Sequence, residues 1–303
     1  MPWRLINDLT PRDGFMNMAI DEALFSALEE GRDERCTLRL YTWKPTCLSL
    51  GFHQNYNKAC DPAFLQERGY DIVRRPTGGK AVLHHMEVTY LVTARMDKGP
   101  FERKTLIQTY EMIAGGLSAA LRRLGFNVTV KERAGLTRPT GSSPCFLVPS
   151  EKEILVEGRK VIGSAQKRGR RAFLQHGAIP LSLDYSLLAK ATANPHQDTD
   201  LYRSSFAGLK DLASDVTEED LRNALRQGFQ ESFPGSWEAS PLTEDEITLA
   251  ESFRQNRYLT DEWNLEGRAR LQGAGASQAA AAEAAEDLEN LENLSSSENA
   301  ASS

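Results

Sequence analysis

The chain has 303 residues, which is enough for one large domain or two smaller ones. Its 40% hydrophobic and 26% charged residues are typical of a globular protein, and no apolar run approaches the length of a membrane span. Six of its 42 acidic residues follow Arg270, and the remaining 36 equal the number of Lys and Arg. The rest of the chain is formally neutral, so we expect neither a nucleic acid nor a membrane as a partner.

The four cysteines are scattered, with none of the spacings of a disulfide framework or a zinc site; they are Cys36, Cys47, Cys60 and Cys145. Near the amino terminus, Arg4, Asp8 and Arg12 stand where a signal peptide needs an apolar stretch. We therefore expect a reducing, cytoplasmic location, in which a lone thiol stays reactive.

Apolar residues recur at helical spacing in residues 14–30 and 104–124, and Gly125 is positioned to cap the end of the second helix. Two further helices are predicted to begin after Thr217 and Thr243, because each threonine precedes a run of acidic residues. We interpret the apolar stripes as core faces.

Short runs rich in β-branched residues predict strands at 37–41, 47–50, 71–74, 81–84, 88–93, 127–130, 154–156, 160–165 and 172–183. Short polar or glycine-containing turns separate neighbouring runs, which favours an α+β fold with a mostly antiparallel sheet and flanking helices. Residues 269–303 are rich in Ala, Ser and Glu and contain no aromatic residue. They predict a disordered acidic tail after a single folded domain at 1–268.

Cys145 and Lys160 are the first pair of candidate catalytic residues in the sequence. A thiol is a strong nucleophile as the thiolate, and a nearby ammonium group favours that form. Lys160 follows Cys145 by fifteen positions, so a chain that folds back between them brings the two side chains together for covalent acyl chemistry. The alternative is that Cys145 is a small buried hydrophobe and Lys160 a surface charge.

The segment at 74–85 contains Gly78 and Gly79 between two predicted strands. Backbone amides without a Cβ approach a carbonyl oxygen, an oxyanion or a phosphate closely, and Arg75 and Lys80 add positive charge. A plain turn is the alternative. The segment is not a Walker loop, because Gly-x-x-x-x-Gly-Lys-Ser/Thr is absent.

The histidines are a weaker indication of a catalytic or metal-binding site. His176 suits a general base, although a histidine that a neighbouring backbone group satisfies is more common. His84 and His85 are adjacent, but no third ligand stands at a supporting spacing. We therefore predict no metal.

Several stretches, taken together and in this order, resemble the family of lipoate-protein ligases and lipoyl/octanoyl transferases, which are relatives of biotin protein ligase. They lie at 17–22, 39–43, 49–54, 74–85, 160–165, 175–177 and 258–264. The resemblance covers most of 1–268 and implies a biotin/lipoate protein ligase-like catalytic domain there.

The resemblance also implies a binding site. It places the acyl group between the glycine segment and the strand that begins at Lys160, with Lys160 contacting the acyl carbonyl. The implied substrate-binding residues are Arg75, Thr77, Gly78, Gly79, Lys80, Gly163, Ser164, Ala165, His176 and Gly177.

Within the family, Cys145 favours the LipM-type octanoyltransferase branch. ATP-dependent ligases need no nucleophilic cysteine and usually have a third glycine where this chain has Lys80; an acidic residue is also common where this chain has His85. The branch implies octanoyl-acyl carrier protein as donor, a lipoyl-domain protein such as glycine cleavage H protein as acceptor, Cys145 and Lys160 as catalytic residues, and no cofactor. The alternatives are an ATP-dependent lipoate-protein ligase, an amidotransferase between two lipoyl domains, and a non-catalytic acyl-domain binding module.

Overall fold

A computed structural model describes residues 1–132, 152–193, 199–213 and 215–267 of the chain. Its helices are α1 (Gly14–Glu29), α2 (Tyr56–Ala59), α3 (Pro62–Glu67), α4 (Leu106–Arg123), α5 (Tyr185–Ala191), α6 (Thr199–Ser205), α7 (Glu218–Ser232), α8 (Glu244–Phe253) and α9 (Asp261–Asn264), with a π-helical turn at Arg254–Tyr258. Its strands are β1 (Trp3–Asn7), β2 (Cys36–Tyr41), β3 (Cys47–Leu50), β4 (Asp71–Arg74), β5 (Val82–His84), β6 (Glu87–Arg95), β7 (Val128–Glu132), β8 (Lys152–Val156), β9 (Arg159–Lys160), β10 (Gly163–Arg168), β11 (Ala172–Pro180) and β12 (Trp237–Ala239).

The helices predicted from periodicity and caps are confirmed. The predicted spans 14–30 and 104–124 correspond to α1 and α4, and Gly125 follows α4 with φ at +87°, a conformation that glycine adopts at little cost. Thr217 and Thr243 each form a capping box with the acidic residue three positions on, at the starts of α7 and α8. Local side-chain chemistry therefore sets where these helices begin.

The largest sheet has the order β10-β11-β6-β2-β1-β12. The pairs from β10 to β2 are antiparallel, whereas β1 pairs in parallel with both β2 and β12. The predicted α+β class with a mostly antiparallel sheet is thus confirmed, but the parallel half, built on β1 and β12, was not predicted.

Alternation along the central strands separates two cores on the faces of this sheet. Leu38 and Leu40 of β2 face the core that contains α4 and α7. Tyr41 of the same strand belongs to the core around α1, on the other face. Buried polar side chains such as Arg39 also lie on the α1 side, where they contact that helix. The sheet is covered on both faces, and its α1 face carries polar groups in the interior.

Two smaller sheets complete the described fold, with the orders β4-β3-β5 and β7-β8-β9. The predicted single strand at 160–165 is wrong in detail: it divides into β9, in the third sheet, and β10, at the edge of the large sheet. Val161 and Ile162, between the two, are both buried, at 0% and 2% exposure. Adjacent residues of one strand point to opposite faces, so burying both in one core breaks the strand.

The residues up to Gly267 form one compact unit. The predicted boundary at 268 and the predicted tail at 269–303 lie outside the described residues. Across the described part of the chain, none of the helices combines the length and the apolar character needed to traverse a lipid bilayer.

Candidate active site

A cavity with about 340 Å³ of empty space, including its open mouth, lies where the large sheet, the β4-β3-β5 sheet and α1 meet. Six predicted substrate-binding residues line it: Arg75, Gly163, Ser164, Ala165, His176 and Gly177. Its other lining residues are Met18, Tyr41, Trp43, Ser49, Val82, His84, Thr89 and Ala178. More than half of the substrate-binding residues that the resemblance implies thus line one cavity, whose wall also includes residues with no predicted role.

Three further predicted residues, Thr77, Gly78 and Lys80, bond to side chains of this wall. Thr77 is buried and bonds to His176, with 2.7 Å between Thr77 Oγ1 and His176 Nε2. The carbonyl oxygens of Gly78 and Lys80 accept bonds from Arg75. Lys160 is in β9 and is not among the residues that line the cavity. Cys145 lies outside the described residues.

The Arg75 guanidinium, 3% exposed, organises the glycine segment from the inside. It donates from Nε to Thr77 Oγ1 (3.2 Å), from Nη1 to the carbonyl and hydroxyl oxygens of Ser49 (both 3.1 Å), and from Nη2 to the carbonyls of Gly78 and Lys80 (both 2.7 Å). Five acceptors thus face its five N–H donors. The sequence suggested that Arg75 meets the substrate with its charge, whereas its hydrogen bonds hold the segment 77–80 in place.

The glycine segment does not join two neighbouring strands. Both β4 and β5 pair with β3, so residues 75–81 cross the end of that strand. Gly51 follows β3, and a Cβ there would overlap the carbonyl oxygen of Gly79. Gly79 itself is exposed and has φ at +91°, in the region that favours glycine. Two glycines therefore let the crossing segment lie directly on the end of β3.

His176 is held between Asp21 and Thr77. Its Nδ1 lies 2.9 Å from Asp21 Oδ2, which also accepts from the hydroxyl of Tyr41 at 2.7 Å, and Arg39 bonds the other carboxylate oxygen at 2.8 Å. Burial lowers the pKa of His176, and the positive charge of Arg75 lowers it further, against the effect of Asp21. A neutral ring with the proton on Nδ1 donates to Asp21 and accepts from Thr77.

A second buried histidine, His84, also lines the cavity and has the same arrangement. His84 Nδ1 lies 2.7 Å from Glu87 Oε1, and His84 Nε2 lies 2.8 Å from Ser49 Oγ. The neighbouring His85 instead bonds Thr46, with 2.9 Å between Nδ1 and Oγ1. The two adjacent histidines therefore have separate partners, and no cluster of three residues suited to a metal occurs among the residues that the structure describes.

The strand pair β10–β11 forms one wall with close backbone approach. Gly177 is opposite Ser164 in the register, and a Cβ on Gly177 would lie 2.6 Å from the carbonyl oxygen of Gly163 and from the ring of Tyr90. Ser164 Oγ is 2.7 Å from the Tyr90 hydroxyl, whose pKa burial raises to about 12. This wall presents neutral polar groups and leaves no room for a larger residue at Gly177.

Lys160 is 3% exposed, and its Nζ lies 3.3 Å from Glu153 Oε1 in β8. A buried ammonium group needs such a partner to offset the loss of water. The alternative interpretation of Lys160 as a surface charge is wrong, since its side chain is inside the fold.

Sequence reasoning missed Asp21, Arg39, Tyr41, Ser49 and Glu87. A signal was present for Asp21, since it lies one turn from Asn17 on a helix whose other residues on that side are apolar. Both side chains bond Arg39, at 2.8 Å. Polar residues one turn apart inside a core stripe indicate an interior charge network, but nothing local indicates its partner.

The fold itself is that of lipoate protein ligases. A bipartite lipoate protein ligase of Thermoplasma acidophilum is similar with a TM-score of 0.72, at 24% identity, over 91% of this chain and 99% of that one. A lipoate-protein ligase A solved with bound ATP is similar with a TM-score of 0.73, at 24% identity, over 88% of this chain and 100% of that one. The predicted catalytic fold is thereby confirmed.

The chain belongs to the lipoyl protein ligase A/B catalytic domain family, whose model matches residues 13–230. Over 273 residues it is 40% identical to the octanoyltransferase LipM of Kyrpidia tusciae, covering 86% of this chain and 98% of that protein. Over 274 residues it is 34% identical to the octanoyltransferase LipM of Bacillus subtilis, covering 86% of this chain and 97% of that protein. The predicted family is confirmed, and these relatives carry the name of the predicted branch.

Proposed function

We propose that the chain is an octanoyltransferase that moves an octanoyl group from the thioester of an acyl carrier protein to a lysine of a lipoyl domain, such as that of glycine cleavage H protein. The observation that carries the proposal is the match to relatives named octanoyltransferase along 97–98% of their length. The cavity supports it, because an octanoyl chain needs an enclosed apolar space with a few polar groups at one end.

Cys145 is the nucleophile in this proposal. Burial raises the pKa of Cys36 and of Cys60 to about 12, and it raises the pKa of Cys47 as well. Those three thiols stay protonated near neutral pH and are poor nucleophiles. Of the four cysteines, Cys145 is the one left to carry an acyl group.

In the first step, the Cys145 thiolate attacks the carbonyl carbon of the octanoyl thioester. A new S–C bond forms, the bond to the carrier thiol breaks, and the carrier leaves as a thiol after taking up a proton. The Lys160 ammonium, positioned by Glu153, stabilises negative charge on the thiolate and on the carbonyl oxygen.

In the second step, the acceptor lysine attacks the octanoyl-cysteine as a neutral amine. The C–N bond forms, the bond to Cys145 breaks, and the amine proton is released as Cys145 returns to its thiolate. Thioester exchange is nearly isoenergetic, and conversion to an amide is favourable, so the sequence of steps uses no ATP, metal or cofactor. The need for a free thiol favours a reducing, cytoplasmic location.

The test is intact mass spectrometry after exposure to octanoyl-acyl carrier protein without ATP. We expect one octanoyl group per chain, removed by hydroxylamine and mapped by peptide analysis to Cys145. In Cys145→Ala the adduct should be absent and transfer to a lipoyl domain should fall by at least about 10³-fold, as for loss of other covalent nucleophiles.

Cys60→Ala is the matched control, because it also removes a thiol but one with a raised pKa, and it should still form the adduct. Full transfer by Cys145→Ala would refute the mechanism. Transfer that requires ATP and free lipoate or octanoate would instead identify a ligase.

A further inference from the structure

A closed cluster of side chains surrounds His84 at the cavity wall. The indole of Trp43 stacks on the His84 ring, with 3.9 Å between centroids and 14° between planes. Trp43 Nε1 donates to Thr89 Oγ1 at 2.7 Å, and the Thr89 hydroxyl donates to Glu87 Oε1 at 2.6 Å. Glu87 Oε1 in turn accepts from His84 Nδ1. Every member of this ring except Glu87 also lines the cavity.

The opposite edge of the same imidazole leads to Arg75. His84 Nε2 is 2.8 Å from Ser49 Oγ, which accepts from Arg75 Nη1 at 3.1 Å. In the neutral ring, with the proton on Nδ1, the Ser49 hydroxyl donates to His84, and the bonds run in one direction from Arg75 to Glu87. Because these groups are buried, each loses more by missing its partner than it would in water.

We propose that His84 is a positioning residue of the acyl site, with a separate task at each ring nitrogen. Through Nδ1 and Glu87 it fixes the Trp43 wall against which the acyl chain packs. Through Nε2 and Ser49 it fixes Arg75, and Arg75 holds the glycine segment, beside which the family resemblance places the acyl group. This inference rests on the proposed function for the identity of the acyl group.

The two tasks are separable by substitution. The side-chain amide of Asn reaches the position of His84 Nδ1, so His84→Asn keeps the bond to Glu87 and loses the bond to Ser49. The amide of Gln reaches the position of Nε2, so His84→Gln keeps Ser49 and loses Glu87. The adjacent His85 bonds Thr46 instead, which makes His85→Gln a matched control that leaves the cluster intact.

The kinetic test varies octanoyl-acyl carrier protein at a saturating concentration of a lipoyl domain. We expect His84→Asn to lower kcat about tenfold with KM within twofold of wild type, and His84→Gln to raise KM about tenfold with kcat within twofold. A factor of about ten is the size expected for one buried hydrogen bond. His85→Gln should match wild type in both constants.

A calorimetric titration with sodium octanoate measures how tightly the Trp43 wall binds the acyl chain, without any transfer reaction. His84→Gln should bind octanoate about tenfold more weakly than wild type, and His84→Asn and His85→Gln within about twofold of it. If wild type binds octanoate but transfers nothing, the proposed function fails and this titration alone decides the positioning role. If wild type neither transfers nor binds octanoate, both fail.

Two further outcomes would overturn the inference. One is that both His84 variants keep wild-type kinetics and affinity. The other is that both variants lower kcat and raise KM to the same extent and also have a lowered Tm. That result is expected for a residue with a structural role only.

Discussion

The buried arginine beside the cavity shows how a charge can serve a site without facing its ligand. Arg75 has its N–H groups directed at Thr77, Ser49 and two carbonyls of the glycine segment. A guanidinium has a rigid planar fork of donors, so fixing it fixes all the acceptors around it. Its positive charge also contributes to the lowered pKa of His176. The two effects come from one side chain and cannot be changed independently.

His176 makes the stability of the protein depend on pH. Its pKa is lowered by burial below the ordinary value of 6.5, so the unfolded chain takes up a proton more readily than the folded one. The contribution of His176 to the free energy of unfolding is complete above pH 6.5. It is lost as the pH falls from 6.5 toward the lowered folded-state pKa, at up to about 1.4 kcal/mol per pH unit.

We therefore expect His176→Gln to show a flatter loss of stability than wild type between about pH 6.5 and 5. Urea denaturation at intervals across this range measures the slope. Equal slopes in the two proteins would mean that burial does not hold the ring neutral.

At the scale of elements, the site depends on the crossing of one segment over the end of β3. Gly51 and Gly79 meet there backbone to backbone, and Phe52 N donates to the carbonyl of Thr77 at 2.9 Å. Backbone atoms cannot rotate away as a side chain can. A methyl group at Gly51 must therefore displace the glycine segment or the end of the strand.

Gly51→Ala should lower the free energy of unfolding by about 1–3 kcal/mol, the usual cost of overpacking. It should also slow octanoyl transfer, since the displaced segment carries Gly78 and Gly79. Chemical denaturation and the transfer rate measure the two effects.

Gly115→Ala in α4 is the control. A Cβ there meets nothing within 4 Å, and alanine is favoured over glycine inside a helix by about 0.5–1 kcal/mol. This variant should be slightly more stable than wild type and equally active. If Gly51→Ala were as stable as wild type, the close approach would not be a constraint.

At the scale of the whole molecule, the last described residues return to the site from far along the chain. The Arg74 guanidinium donates to the carbonyls of Trp263, Asn264 and Leu265, and also to those of Gly51, Phe52 and Gln54. It thereby joins α9, the last helix among the described residues, to the loop that follows β3. Arg74 and Arg75 are adjacent. Arg74 holds α9 and the loop after β3, whereas Arg75 holds the glycine segment directly.

A chain that ends at Gly267 should melt and transfer octanoyl like the full-length protein, because Arg74 keeps all its partners and the removed residues have no predicted catalytic role. A chain that ends at Arg257 loses buried Tyr258 and Trp263, at 0% and 3% exposure. We expect its Tm to fall by roughly 10 °C, from the usual cost of removing large buried aromatic side chains.

Calorimetry of the two truncated chains, each compared with the full chain, measures this difference. Equal melting of both would show that the Arg74 contacts contribute little. A fall in transfer for the chain ending at Gly267 would assign a role to residues 268–303.

The elements found from the sequence are those with local signals. Capping boxes and apolar stripes locate α1, α4, α7 and α8. The β-branched runs locate the strands from β2 to β11, with β9 and β10 predicted as one strand. The strands β1 and β12 were missed, and β12 pairs with a partner more than 230 residues earlier in the chain. Trp3 stacks on Trp237 there, with 4.7 Å between ring centroids, a contact that no local pattern predicts.

The sequence by itself determined the α+β class, the family and six of the residues that line the cavity, since residue type and order along the chain carry that information. Cys145 as nucleophile stays a prediction from the sequence. The tertiary structure alone decided how the interior charges are partnered. Arg75 and His84 both bond Ser49 on β3, and His176 bonds Asp21 on α1. A buried polar group must find a partner wherever the fold supplies one. That partner depends on how strands and helices come together, and not on spacing along the chain.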